Sequence, residues 1–206
     1  MSQVAPPRSS GLRGRGGYGS AGRIHVSNNA STLIDPSGWD GTPAQEKACK
    51  KACKDARDDP DNPNYELGPK TAGFVLCMPA GAGGSPQNIQ LYCACVGTVA
   101  LKLPVSVKRC ILEHELAHIS NGDEVCDPNC ASPYRTPQHP LGYNKTTSEC
   151  KAAAVAMACL VKALAAATTP DEKKAIRYRF SREAQNCTDL KGNIKDYYKG
   201  TWIDIK

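Results

Sequence analysis

The pattern of apolar and polar positions, together with capping signals and a run of strong helix formers, predicts four α-helices. In the clearest of them, from Val105 to Ile119, apolar residues and histidines recur every three or four positions, and no glycine or proline interrupts the run. Asn121 and Gly122 follow as a C-terminal stop signal. The four predicted helices span residues 42–57, 105–119, 147–167 and 170–186. Two of them open with predicted capping boxes that have proline at the first helical position, Thr42-Pro-Ala-Gln45 and Thr169-Pro-Asp-Glu172.

Three shorter apolar runs predict β-strands at residues 73–77, 89–95 and 197–205. The first two flank a glycine-rich loop and are expected to pair as a hairpin. Residues 1–38 are rich in Gly, Ser, Pro and Arg, a composition typical of a flexible linker, so the folded domain is expected to span residues 39–206. The expected fold class is therefore α+β: a mainly helical domain with a small antiparallel β-hairpin or sheet, stabilised by disulfide bonds.

Charge and hydropathy argue against two classes of partner. The formal net charge of +6 is spread along the 206 residues without a basic block interleaved with aromatics, so nucleic-acid binding is not indicated. No run of apolar residues is long enough to predict a membrane span. The first eight residues lack the apolar segment of a signal peptide. We therefore expect that the chain belongs to a larger exported polypeptide or is delivered by another route.

Cysteine is unusually frequent, which predicts a disulfide framework and an oxidising compartment. The odd count leaves at least one thiol free or paired to another chain, and no Cys-x-x-Cys pair supports a four-cysteine zinc site. Cys49 and Cys53 share a helix face, so each is expected to bond to another element. Cys126 and Cys130 are expected to staple the loop that follows the helix of residues 105–119; the sequence leaves the connectivity open. The eleven cysteines are Cys49, Cys53, Cys77, Cys93, Cys95, Cys110, Cys126, Cys130, Cys150, Cys159 and Cys187.

The segment His114-Glu-Leu-Ala-His118 carries the pattern of a hydrolytic zinc site. Residues four apart share one face of a helix, so both imidazoles can bind one ion. Glu115 is placed to take a proton from a water molecule whose pKa zinc lowers to about 7. The alternative is a pair of hydrogen-bonded core histidines separated by a chance glutamate. Metal binding is favoured, because the pattern uses two of the four histidines in the chain and has the required glutamate.

A catalytic zinc ion requires a third protein ligand. The extended motif His-Glu-x-x-His-x-x-Gly-x-x-His fails, because Asn121 and Glu124 occupy its last two defined positions; Glu124 is expected to be a solvated loop residue. Glu149 is the expected third ligand, because a carboxylate in an alanine-rich apolar helix needs a partner. The alternatives are a glutamate favoured at a helix start by the helix dipole and a structural salt bridge. His139 is the alternative metal ligand.

Two tyrosines, Tyr134 and Tyr143, lie in the loop between the two ligand helices. Either is a candidate to donate a hydrogen bond to the oxyanion that develops during amide hydrolysis. Nothing in the sequence defines a specificity pocket, so the substrate is expected to be a protein or a peptide crosslink of murein.

The segment from His114 to His118 resembles the zincin metallopeptidase superfamily, and Glu149 on the next helix resembles the gluzincin arrangement. The intervening loop is longer than in thermolysin-like enzymes, and their residues around the glutamate are not reproduced. Asp35-Pro-Ser-Gly38 resembles the junction at which Rhs/YD-repeat shells end and C-terminal toxin domains begin. This second resemblance implies an effector carried by a larger type VI or related secretion-system protein, active in a target cell's periplasm or outside the cell, with a cognate immunity protein as partner.

The expected function is therefore that of a zinc-dependent metallopeptidase that hydrolyses peptide bonds as a secreted antibacterial effector. In this hypothesis His114, His118 and Glu149 bind Zn²⁺ and Glu115 is the general base. The alternative is a non-catalytic, disulfide-stapled adaptor or structural domain in which the His-Glu-x-x-His pattern is vestigial.

Overall fold

The computed structural model describes residues 31–34, 42–62, 71–78, 92–126 and 136–204. Its fold class is the predicted one, a mainly helical α+β fold with a small antiparallel sheet and several disulfide bonds. The three strands are β1 (Ser31–Ile34), β2 (Gly73–Cys77) and β3 (Tyr92–Val96). The helices are α1 (Pro43–Asp58), α2 (Val105–Ser120), α3 (Lys145–Ala166), α4 (Pro170–Asp189) and the single-turn α5 (Ile194–Tyr197).

The sheet has the strand order β1-β3-β2, and both strand pairs are antiparallel. The predicted pairing of the two runs that flank the glycine-rich loop is confirmed, with Phe74 opposite Cys95 and Leu76 opposite Cys93. β1 lies inside the region 1–38 that was predicted to be a linker, and that prediction is wrong for residues 31–34. These residues pair with β3 on the side opposite β2. The two strands are far apart in the sequence, so local composition does not reveal the pairing.

Side chains alternate across the sheet and divide the interior into two cores. Phe74, Leu76, Cys93 and Cys95 pack with α1 on one face. The intervening residues Val75, Cys77, Tyr92, Ala94 and Val96 belong to the larger core formed with the helices on the other face. The molecule is therefore layered, with α1 on one face of the sheet and α2 to α4 on the other.

The four long helices lie where the sequence predicts them, with ends displaced by at most three residues. The capping box at Thr42 and Gln45 is complete. At the start of α4, Thr169 caps the helix, but the carboxylate of Glu172 accepts a hydrogen bond from Ser106 instead of completing the box. α2 ends in a Schellman motif at Gly122, whose φ of 69° is the left-handed conformation that glycine adopts without strain.

The predicted strand at residues 197–205 is wrong for its described residues. Tyr197 ends the short helix α5, and residues 198–204 form no strand. The aromatic residues that suggested a strand pack edge-to-face with α4: Phe180 lies 5.8 Å from Tyr198 and 5.9 Å from Trp202 between ring centroids. Burial of aromatic rings therefore outweighs β-propensity here.

Five disulfide bonds join the described elements, and they favour an oxidising environment. As predicted, Cys49 and Cys53 each bond to another element, in both cases to β3. Cys126 bonds to Cys77 of β2, so it fastens the loop to the sheet and is not a staple within the loop; Cys130 lies outside the described residues. The five pairs are Cys49–Cys93, Cys53–Cys95, Cys77–Cys126, Cys110–Cys159 and Cys150–Cys187. A search of the described helices finds none that is both long and apolar enough to cross a membrane.

Candidate metal centre

The side chains of His114 and His118 project from the last two turns of α2 into the interior, where each residue is only 5% exposed. Their ring centroids are 5.0 Å apart in an edge-to-face arrangement. The helical spacing of four residues therefore brings the two imidazoles to one place, as the sequence predicts.

The carboxylate of Glu149, on the neighbouring helix α3, faces both imidazoles. Its Oε2 lies 3.4 Å from Nε2 of His114 and 3.9 Å from Nε2 of His118. Four tetrahedral ligands at zinc–nitrogen and zinc–oxygen distances would be about 3.4 Å from one another. One potential ligand atom from each of the three residues lies within 4.8 Å of the others, so the group could hold a metal ion.

A buried carboxylate orients His114. Nδ1 of His114 lies 3.0 Å from Oε2 of Glu183, a residue of α4 that is 0% exposed. Arg179, one turn earlier on α4, donates from Nε to Oε1 of Glu183 at 2.7 Å. Because the Nδ1–H donates to this carboxylate, Nε2 is the nitrogen directed at Glu149 and available to a metal.

Neighbouring charges determine the protonation states of His114 and His118 in the absence of a metal. Burial alone would lower the pKa of His114, but the charges of Glu183 and Glu149 raise it well above its usual value. Burial would also raise the pKa of Glu183 and of Glu149, yet the adjacent His114 lowers both, helped at Glu183 by Arg179. For His118, burial and the neighbouring charge on His114 lower the pKa to about 4. His118 is therefore a neutral imidazole at neutral pH, the form that binds metals.

A hydroxyl and a carboxylate orient His118. The Oγ atom of Ser148 lies 2.8 Å from Nδ1 of His118 and donates to Oδ2 of Asp123 at 2.8 Å. Since the single hydroxyl proton of Ser148 is given to Asp123, the hydroxyl oxygen accepts from the Nδ1–H of His118, which leaves Nε2 free for a metal. Asp123 is held in place by the Schellman motif, through a 2.9 Å hydrogen bond from its N–H to the carbonyl of His118.

Glu115 lies beside the first strand residue of β2. A Cβ atom at Gly73 would be 2.5 Å from Oε1 of Glu115 and 2.8 Å from Cγ2 of Ile111, so glycine is required for this close approach. Burial raises the pKa of Glu115 to about 7, and the carboxylates of Glu149 and Glu183 add to the rise while His114 opposes it. A carboxylate that titrates near neutral pH can both accept and return a proton.

Glu124 was expected to be a solvated loop residue, and that expectation is wrong. Its side chain lines the same cleft as the triad, and its Oε2 atom is buried without a hydrogen bond to any described residue. Burial raises the pKa of Glu124 to about 8, and the nearby charges of Glu115 and Glu149 contribute to the rise. A neutral carboxyl group therefore faces the cleft at neutral pH.

A cleft of about 1230 Å³ opens over the triad and Glu115. Tyr143 and His139 line it and stack face to face, with ring centroids 3.8 Å apart. Burial raises the pKa of Tyr143, so its hydroxyl stays protonated and can donate a hydrogen bond. His139 is exposed, contacts the backbone carbonyl of Asp123, and is outside the group that could hold a metal. Tyr134 lies outside the described residues.

The sequence did not point to the residues behind the ligands. Glu183 and Arg179 are four apart on a polar helix, a spacing that usually marks a solvated ion pair. Ser148 and Asp123 have no pattern that distinguishes them from ordinary helix-start and loop residues. Only the packing of α3 and α4 against α2 gives these side chains their role.

Comparisons with protein-family models, with curated proteins and with solved structures found no match to this chain.

Proposed function

We propose that this chain is a zinc-dependent metallopeptidase that hydrolyses peptide bonds. The observation that supports the proposal most is the convergence of His114, His118 and Glu149, whose potential ligand atoms lie within 4.8 Å of one another, with Glu115 lining the same cleft. The donor set of two imidazoles and one carboxylate is one that catalytic zinc uses, and it leaves a coordination position for water or substrate.

In this proposal His114, His118 and Glu149 would hold the ion. A bound zinc ion would supply Lewis acidity, which polarises a substrate carbonyl and makes a water molecule more acidic. Glu115 accepts the proton of the attacking water and returns it to the leaving amine. Tyr143 is the candidate donor to the developing oxyanion, because its protonated hydroxyl group belongs to the same cleft.

The position of β2 supports a polypeptide as the substrate. β2 is an edge strand of the described sheet, and residues 71–75 line the cleft next to Glu115. An extended peptide can add to such an edge through backbone hydrogen bonds, which are independent of its sequence. Protein and murein crosslink substrates both remain within this proposal.

Metal analysis is the first test. Protein purified without added metal or chelator should contain about one zinc per chain, and His118→Ala should lose it. His139→Ala is the matched control, since it removes a cleft histidine outside the triad and should retain zinc. Absence of bound metal in the unmodified protein would contradict the proposal and favour the non-catalytic, disulfide-stabilised domain.

Hydrolysis of pooled peptides is the second test. Glu115→Ala should keep its zinc while the rate of peptide cleavage falls by about a hundredfold or more, because the proton acceptor is lost. Cleavage at the unmodified rate in Glu115→Ala would remove Glu115 as the base.

We further propose that the enzyme acts as an effector in an oxidising compartment, where its disulfide bonds can form. Export of the chain to the periplasm of a bacterial host should arrest growth, and the Glu115→Ala variant should not. Equal toxicity of the two proteins would contradict this role, and a cognate immunity protein should relieve the growth arrest.

A further inference from the structure

One wall of the cleft is formed by α4 and carries a basic group that no described neighbour neutralises. Tyr178, Arg182 and Asn186 line the cleft at intervals of four residues, so they share one stripe of the helix. The adjacent stripe contains Glu183, whose carboxylate contacts His114. Arg182 therefore directly precedes Glu183, the residue that contacts His114, and Arg182 itself is exposed.

The other two lysine or arginine side chains that line the cleft already have anionic neighbours. Arg179 donates to Glu183. Lys145 is close enough to Glu149 for its charge to help lower the pKa of that carboxyl group, although the main cause is His114. Arg182, by contrast, makes no hydrogen bond or ion pair with another described residue. It is the cation of this wall that is available to a ligand.

The wall faces the space that a bound peptide would occupy. β2 lines the same cleft, and side chains of an extended peptide alternate in direction. Alternate side chains of a peptide bound along β2 would therefore point in opposite directions, and every second one would point toward the α4 wall. The planar guanidinium of arginine binds a carboxylate through two parallel hydrogen bonds. Tyr178 and Asn186 flank it with further hydrogen-bonding groups.

We propose that Arg182 binds a carboxylate of the substrate, so that the enzyme prefers peptides with an acidic side chain or a free carboxy terminus beside the cleaved bond. This inference rests on the proposed peptidase function for its context, but it concerns a separate group and is tested separately.

The experiment compares matched peptide pools. In one arm, pools blocked at both ends carry either Glu or Gln at one scanned position. In the other arm, Gln pools end in either a free carboxylate or an amide. We expect kcat/KM to be about tenfold to hundredfold higher for the acid member of at least one pair. The arm that shows the preference identifies the source of the carboxylate.

Variants at position 182 assign the preference. Arg182→Gln should remove the acid preference by lowering kcat/KM for the acid pools to that for the amide pools, and Arg182→Glu should favour Gln over Glu in the side-chain pools. Lys174→Gln, an exposed residue of the same helix that does not line the cleft, is the matched control and should keep the preference. Equal cleavage of acid and amide pools, or an acid preference unchanged in Arg182→Gln, would overturn the inference while the peptidase function stands.

Binding separates the two proposals if no pool is cleaved. Zinc-loaded Glu115→Ala should bind a fluorescent acid pool more tightly than its amide twin, and Arg182→Gln in that background should abolish the difference. Such binding without hydrolysis in the unmodified protein would overturn the peptidase function and support the role of Arg182. Equal binding of both pools would overturn the role of Arg182.

Discussion

The two faces of the sheet use disulfide bonds for different purposes. On the α1 face, four of the nine buried core residues are cysteines, and few large apolar side chains accompany them. On the other face, the core contains large apolar side chains, so burial of apolar surface is substantial even before the disulfide bonds of this face are considered. These side chains are Ile111, Met157, Leu160, Ile176 and Phe180. The comparison indicates that the α1 disulfides replace a missing apolar core, whereas those among α2, α3 and α4 have another role.

That other role follows from where the cysteines lie in the sequence. Cys110 is one turn before His114 on α2, and its partner Cys159 is on α3. Cys150 directly follows Glu149, and its partner Cys187 is one turn after Glu183 on α4. Two of the three disulfide bonds on this face therefore join the helices that supply the metal ligands and the carboxylate of Glu183, while the third, Cys77–Cys126, joins β2 to the loop after α2.

Removing one disulfide from each face tests the comparison most strongly. The Cys53–Cys95 and Cys150–Cys187 bonds close loops of similar length, with sequence separations of 42 and 37. Chain entropy therefore predicts that replacing either pair by alanine lowers the free energy of unfolding of the zinc-free protein by about 4 kcal/mol. Only loss of Cys150–Cys187 should also lower zinc affinity, by about tenfold or more, because Glu149 and Glu183 lose their fixed separation.

Chemical denaturation of the zinc-free variants and zinc competition with a chelator measure the two quantities. The Cys53→Ala/Cys95→Ala protein serves as the control for general destabilisation, with zinc binding measured where both variants are folded. Equal zinc affinities in the two variants would show that the disulfide bonds of the helical face are only structural.

A substitution at Glu183 tests the site on the helical face without breaking a covalent bond. Glu183→Gln keeps a hydrogen-bond acceptor for His114 but removes the charge, and it leaves Arg179 without its partner. We expect zinc affinity to fall about tenfold to hundredfold. Glu172→Gln, on the same helix but hydrogen-bonded to Ser106, is the matched control. If both variants bound zinc like the unmodified protein, the charge of Glu183 would make no contribution to zinc affinity.

The sheet contributes the position of the base, and Gly73→Ala tests that contribution. A methyl group at this position would overlap Glu115 and Ile111, so the carboxylate must shift while the ligands on α2 and α3 keep their places. We expect kcat to fall by up to about a hundredfold with zinc content unchanged. Loss of zinc in this variant would instead mean that the sheet also supports the metal ligands.

The same division explains what the sequence could predict. Helices α1 to α4 and strand β2 are predictable because their periodicity and caps are local signals. His114, Glu115 and His118 are predictable because one helix fixes their geometry, and Glu149 because a carboxylate in an alanine-rich helix needs a partner.

The rest depends on contacts between distant segments. β1 is a strand only because it pairs with β3, and the partner of Cys126 is defined by the path of the chain to β2. Glu183 becomes part of the site only because α4 packs behind His114 and buries a pair that would otherwise be solvated. Pairing and burial of this kind have no signature in the composition of either segment.

The pH dependence of zinc affinity reports on the helical face alone. In the metal-free protein the pKa of His114 is raised well above its usual value, so this imidazole holds a proton at neutral pH that zinc must displace. Affinity should therefore rise about tenfold per pH unit up to the pKa of His114 and fall as the pH is lowered. His118, with a pKa of about 4, is already neutral and should add nothing to the slope.

Calorimetry in buffers of different protonation enthalpy measures the protons released when zinc binds. About one should be released from His114 at neutral pH, and fewer in Glu183→Gln, because loss of that carboxylate lowers the pKa of His114 toward its usual value. The Cys53→Ala/Cys95→Ala protein should keep the full release, since the α1 face does not contact the histidines. Equal proton release in all three proteins would show that Glu183 does not control the charge of His114, and the distinction between the two faces would then rest on the disulfide bonds alone.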